Sequence, residues 1–217
     1  MLVLPNLFTL LTKRKGYEME TRERILEAAR EEFIEKGFPD ASMRNIAGKV
    51  GITATALYRH YKNKEEIFEA VVQPAVDDWE RFCESENTKQ TGIARAEGLD
   101  AMWEDDVQIR TMVDIIYAHF DEHKLLFFGS KGTKYEDFLH DIVVKVQTYT
   151  LNFMQELKEK GVPVNDVDEK DMHLLLSAQY TATLEMVKHD FPYEEALRYA
   201  DTVAYFFREG WRKYLGF

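Results

Sequence analysis

Residues 42 to 64, SMRNIAGKVGITATALYRHYKNK, gather side chains suited to gripping a polyanion. Arg44, Lys49, Arg59, Lys62 and Lys64 are positive, and the stretch holds no Asp or Glu, although the whole chain of 217 residues has a net charge of −11. A basic face on an acidic protein is the electrostatic footprint of phosphate binding, while a merely solvated basic face between two helices has the same composition. Some of these residues can also read bases. The Arg44 guanidinium can meet a guanine bidentately, and the short side chains of Thr53, Ala54 and Thr55 allow close apolar approach to a thymine methyl.

The elements that would position them are two short helices. Ser42 is expected to cap the first through its hydroxyl, and Ile46, Ala47 and Val50 recur at helical spacing to give it one buried face. Gly51 stands where that helix must end. Thr53 is expected to cap the second, with Leu57 and Tyr61 pointing inward. Two such helices around a short glycine-containing turn form a helix-turn-helix. Its second helix would enter a major groove amino end first, with Arg59 directed outward to a base or a phosphate. A bracing helix is expected from Thr21, as cap, to Lys36, with Ile25, Ala28, Ala29, Phe33 and Ile34 inward and Gly37 ending it. A further helix is expected from Asn63, with Glu66 as reciprocal partner. Its apolar face would be Ile67, Phe68, Val71 and Val72, and Pro74 would kink it.

Residues 22 to 72 resemble the DNA-binding domain of the tetracycline-repressor (TetR) family of bacterial transcription regulators. Ile25, Ala28, Ala29, Phe33, Gly37 and Phe38 carry the resemblance, followed by Ser42, Ile46, Ala47, Val50, Gly51 and the run LYRHYKNKEEIF. The resemblance implies an all-α fold, with a three-helix DNA-binding domain containing the helix-turn-helix at 19–72. A larger helical ligand-binding and dimerisation domain would follow at 73–217, after an amino-terminal extension at 1–18. It implies a ligand-released repressor acting as a homodimer on a palindromic double-stranded DNA operator, with a small-molecule effector. Tyr58, His60 and Lys64 match family positions that hold phosphates, joined by Ser42, and an arginine at the place of Arg44 reaches bases. Many members carry Thr or Ser where this chain has Ala56, so the operator does not carry over from a relative.

Beyond the reading unit the polar run 85 to 95 is expected to be a loop, and helical spacing follows to the carboxy terminus. Met102 to Phe120 suggests helices, residues 129 to 133 a break, and Tyr135 to Leu157 a long amphipathic helix ended by Gly161 and Pro163. Another helix starts near Asp168, and a last one runs from Tyr193 to about Tyr214. For the pocket that the resemblance implies, Trp103, Tyr117, Phe120, Phe127, Phe128, Tyr149, Phe153, Gln179 and Tyr180 are candidates, although each suits a core equally. Ala178, Ala182, Ala196, Ala200 and Ala204 stand at four-residue spacing, with Phe207 and Trp211 as aromatic anchors. They fit either packing within one chain or a helix-pair interface, and the resemblance favours the interface.

Composition excludes several classes. No glycine-rich phosphate loop, nucleophile elbow or nucleophile beside a base appears, so no enzyme is expected, and no cofactor. The neighbours Asp105 and Asp106 point apart on a helix. His119 and His123 could face one way on a helix, but two ligands do not make a metal site. Cys83 is the single cysteine, which suits a reducing cytoplasm and the role of a small buried hydrophobe. The apolar run Leu2 to Leu11 is too short to span a membrane, and its basic residues follow it, unlike a secretory signal. Residues 1–18 thus read as a short arm or the product of an upstream start, with Met19 an alternative beginning. Two rivals stand beside the repressor: an activator, and a helical protein-interaction module whose helix-turn-helix reads no DNA.

Overall fold

The computed structural model describes residues 7–99, 101 and 107–216, and every regular element among them is helical. In chain order they are α1 (Leu7–Asp40), α2 (Met43–Val50), α3 (Ala54–Leu57), α4 (Lys64–Glu97), α5 (Val107–Ala118) and α6 (Phe120–Lys124). A π-helical turn (Leu125–Gly129) precedes α7 (Phe138–Glu159), α8 (Glu169–Lys188) and α9 (Tyr193–Leu215). Met102 and Trp103 lie outside the described residues.

The first three helices fold around Ile25, Ala29, Phe33, Ile46, Leu57 and Phe68. Phe33, Phe38 and Phe68 form a ring cluster with centroids 5.1 to 6.0 Å apart. Gly37 breaks α1 near its end with φ 73° and ψ 165°, a conformation that a side chain would strain. Two expectations fail along α1. Residues 7 to 20 are already helical, with no proline to interrupt them, so Thr21 is an interior position rather than a cap. Ile34 is exposed, because the inward stripe is completed by Glu32 and Phe33 instead.

α4 is the spine. It contacts α1 at one end and α5, α6 and α7 along its length, and its 34 residues span about 50 Å. It continues past Pro74 and through residues 85 to 95, where a loop was expected. The polar side chains there are accommodated within the helix. Thr88 and Thr91 donate their hydroxyls to the carbonyls of Glu84 and Asn87, four residues back. Trp79, Phe82, Cys83 and Glu86 keep one face buried.

α5 packs on α9, α7 on α8, and α8 on α9. The capping of α8 follows the sequence: Asp168 accepts from the amides of Lys170 and Asp171 at 2.9 and 3.0 Å. A smaller core of Val143, Met154, Met172, Leu176 and Leu215 closes the far end. No helix among the described residues is long and apolar enough to cross a membrane.

Candidate nucleic-acid interface and ligand cavity

The α2–α3 turn is set by backbone geometry. Gly51 takes φ 77°, its N–H reaches the Gly48 carbonyl, and the Ile52 N–H reaches Ala47 O at 3.0 Å. These bonds close the carboxy end of α2 in a Schellman-like turn. Thr53 caps α3 by accepting from the Ala56 amide at 3.1 Å. Asn63 caps α4 through Glu66 N at 2.8 Å, while the Glu66 carboxylate returns to Lys62 N rather than to the cap residue itself.

The cap of α2 differs from expectation. The Ser42 hydroxyl makes no capping bond. Glu32 of α1, a buried carboxylate, instead accepts from the cap residue's own amide, Ser42 N at 3.3 Å, and from the Asn45 side chain, Nδ2 at 3.0 Å. Lys49 pairs with Glu31 and Glu32. A long-range acid thus holds the amino end of α2, where the helix dipole favours it. Arg24 and Arg22 of α1 do the converse at the other ends. They donate to the carbonyls of Val50 at 2.7 Å and His60 at 3.2 Å, and Arg22 also lies over the Tyr61 ring. None of the three α1 residues was singled out from sequence, and only their charges hinted at the role.

Among the expected reading residues, Arg44, Thr53, Thr55, Tyr58 and Arg59 are exposed on α2, α3 and the α3 exit, and Ser42, Ala54 and His60 are half-buried. Lys64 departs from its expected use. Its ammonium donates to the carbonyls of Phe38, Pro39 and Ala41 at 2.6, 2.9 and 3.0 Å and sits 4.5 Å above the Phe38 ring. All three protons are engaged by the end of α1, so in this conformation none is left for a phosphate.

Two ion pairs join this unit to the helices behind it, Arg30 with Glu122 and Glu69 with Lys134, and a third polar contact lies just beyond it on α4. Arg30 Nε lies 2.8 Å from the buried Glu122 of α6. Asp78 of α4 receives His119 Nδ1 at 2.7 Å. His123 Nδ1 donates to the His119 carbonyl at 2.8 Å, and burial lowers the His123 pKa to about 4, so its ring is neutral. Both Nδ1 atoms of this pair therefore have protein partners. Among the described residues no group of three His, Cys, Asp or Glu could hold a metal ion.

A cavity of about 300 Å³ lies between α4, α5, α7, α8 and α9. Four expected residues, Tyr149, Phe153, Gln179 and Tyr180, line it. Four others do not: Tyr117, Phe120 and Phe127 pack into the main core, and Phe128 is exposed. Their aromatic cluster fills the space beside α4 instead, with Phe127 5.4 Å from Trp79 and Tyr117 5.0 Å from Phe120. Trp103 lies outside the described residues. Phe82, Cys83 and Glu86 of α4 complete the near wall, and they were missed because a loop was expected from residue 85, over Glu86 and just past the other two.

The alanine stripe also serves the single chain. Ala196 and Ala200 are fully buried on α9, the helix packed on α5, and Ala204 and Trp211 line the cavity. Trp211 Nε1 donates to Gln179 Oε1 at 2.6 Å. Ala182 and Phe207 pack partly buried against the core. Small side chains let these helices approach closely within the protomer. Of the expected interface set only Ala178 is exposed. Besides Tyr193, which bonds Asp114, the large outward apolar residues of α8 and α9 are Leu174, Leu175, Tyr205 and Phe206, with the last two 73% and 75% exposed.

Comparison with known proteins bears on both regions. Residues 25–71 match the family model of bacterial regulatory proteins, tetR family. The chain is 28% identical over 136 residues to the uncharacterized HTH-type transcriptional regulator TtgW of Pseudomonas putida, covering 63% of this chain and 92% of that protein. It is 26% identical over 180 residues to the HTH-type transcriptional regulator UidR of Escherichia coli, covering 80% and 85%. In fold it is similar to the transcriptional regulator FadR of Bacillus subtilis, solved in complex with stearoyl-CoA. The TM-score is 0.55 at 14% identity, covering 87% of this chain and 98% of that one.

Proposed function

The chain is a TetR-family transcriptional regulator and not an enzyme, and we propose that it is an effector-released repressor acting as a homodimer on a near-palindromic operator. One observation carries this reading: α4 starts at the cap that closes the reading unit and, some 20 residues on, forms a wall of the cavity. A ligand that prefers one tilt of α4 therefore changes where α3 points, and only such a differential preference shifts the population. In this reading residues 19–72 are the DNA-binding domain and 73–217 the sensing and dimerisation domain. Thr53, Ala54, Thr55 and Arg44 face base edges, and Tyr58, Arg59, His60 and Ser42 face phosphates. Lys64 supports the unit from inside.

The dimer face in this reading is Leu174, Leu175, Ala178, Tyr205 and Phe206, an apolar set on the last two helices with no cover in the protomer. A dimer presents two copies of α3 to successive major grooves of one duplex face. That the Bacillus subtilis regulator of similar fold was solved in complex with stearoyl-CoA supports a small-molecule effector, and the reading places the chain in the cytoplasm.

The test is a titration of the purified chain into duplexes from the DNA flanking its own gene, at two salt concentrations. Wild type is expected to select one near-palindromic fragment with steep salt dependence. Arg44→Ala is expected to lose about 1–3 kcal/mol on that fragment with an unchanged melting temperature. Salt-independent binding, or none after selection from random sequence, would replace the repressor with the protein-interaction module.

A further inference from the structure

Two physically different contacts hold α2 against α1. Ile46, Ala47 and Val50 are buried on the inner face of α2, and apolar burial of this kind has no preferred direction. Glu32 of α1 adds the direction. It is 2% exposed, and its Oε1 accepts from Ser42 N at 3.3 Å and from Asn45 Nδ2 at 3.0 Å. Its Oε2 lies 3.7 Å from Lys49 Nζ. Residues 42, 45 and 49 stand three and four apart, so one carboxylate grips one side of α2 at its start, in its first turn and near its end. Arg44 lies between two of the gripped residues and is exposed.

This is a poor way to gain stability alone. A buried carboxylate gives up its hydration, and a leucine in its place would meet the apolar inner face without that penalty. What a leucine lacks is aim. A hydrogen bond weakens steeply as its angle and distance leave the optimum, whereas an apolar face tolerates a small roll of the helix. A roll of about 20° carries a side-chain tip on the helix surface by about 2 Å. Bidentate contact with a guanine needs both donors within about 0.5 Å of their places, so it does not survive that roll.

We propose that Glu32 is a specificity-determining positioning residue, which aims Arg44 at its base pair by fixing the roll of α2. Buried on α1, Glu32 itself meets no base. α3 keeps separate ties to the unit, through Leu57 in the core and through Arg22 on the His60 carbonyl. Loss of Glu32 therefore blurs one base pair of the operator and leaves the positions read from α3 intact. This inference rests on the reading of Arg44 as a base contact.

The test carries the full chain through selection from random duplex DNA, and each base pair of the selected site is then exchanged in turn. Arg44→Ala identifies the pair that Arg44 reads, as the one whose exchange ceases to matter. At that pair wild type is expected to discriminate about tenfold or more, and Glu32→Leu less than about threefold. Glu32→Leu is expected to keep the wild-type ratios at the other pairs, with a melting temperature no lower than wild type. Glu32→Gln keeps an acceptor for Ser42 N and Asn45, and is expected to restore most of the discrimination, which packing alone would not do. Full discrimination in Glu32→Leu, an equal loss at every pair, or no difference between the two variants overturns the inference while the operator reading stands. Should Glu32→Leu not fold, Asn45→Ala, at an exposed position, decides by the same ratio, because it removes one donor from the other side of the contact. Absence of any selected site, or of any pair sensitive to Arg44→Ala, overturns the reading of Arg44 and this inference with it.

Discussion

The reading unit and the cavity half differ in how many buried polar groups they leave without a hydrogen bond. Among the described side chains of residues 19 to 72 one buried atom, Arg30 Nε, makes none, and it lies 2.8 Å from the Glu122 carboxylate. Glu32, Arg24 and Lys64 bind the backbone ends of α1 and α2 directly. Farther along the chain, Trp79 Nε1, Glu86 Oε2 and His123 Nε2 are buried with no partner. The first region is over-determined and holds one geometry, as a part that must match a rigid duplex requires. The second keeps unsatisfied groups and an open volume, as the proposed response to a ligand requires.

Core truncation should expose the contrast most strongly. Phe33→Ala, in the three-ring cluster, is expected to lower stability by about 3–5 kcal/mol in denaturant titration. Phe153→Ala, on a wall that already borders empty space, should lose less than half as much. Equal losses would mean that the two regions are equally well packed.

Acid should find the cavity half first. His123 is pinned neutral by burial, the main cause of its fall from 6.5 to about 4, with the His119 carbonyl and Asp78 opposing and His119 adding slightly. Unfolded chains take up that proton more readily, so stability is full above pH 6.5 and declines as pH falls toward 4. The loss is about 3 kcal/mol when complete. A His123→Gln variant should flatten that part of the pH–stability curve, and an unchanged slope would assign the acid sensitivity to other groups.

Lys64→Met sharpens the other side. Removing its three bonds to the end of α1 is expected to destabilise the fold by about 2 kcal/mol, read as a lower thermal midpoint. The salt slope of any DNA binding by the remaining folded protein should stay the same. A reduced slope with an unchanged midpoint would return Lys64 to the phosphate-contacting set.

The helix-turn-helix was legible in the sequence because its determinants are local: Gly51 at a left-handed turn, Thr53 and Asn63 as caps, and apolar residues at helical spacing. The boundaries of α8 and α9 were legible for the same reason, with Asp168 capping one and Pro192 preceding the other. What failed depended on partners far away in the chain. Nothing near Ser42 announces that Glu32 will cap its helix, or that Lys64 will turn inward to Phe38. The run at 85 to 95 looks like a loop until its threonines bond back to their own helix. Alanine spacing shows that a helix can be approached closely, but not that α5 of the same chain does the approaching. Aromatic residues likewise advertise burial without distinguishing a filled core from the cavity beside it, which is why three of the nine expected lining residues proved to be packing.

The side chains proposed to face DNA and those lining the cavity share no member, and among the described elements α4 runs from one region to the other. Substitutions at Arg44, Thr55 or Arg59 leave the chemistry of the cavity untouched, and changes at Glu86, Phe153 or Gln179 leave α3 as it was. Under the proposed function, descendants of such a chain alter which gene they answer to and which compound they answer for in separate steps. The constraint on both lineages falls on the short strip where Arg30 meets Glu122 and Asp78 meets His119.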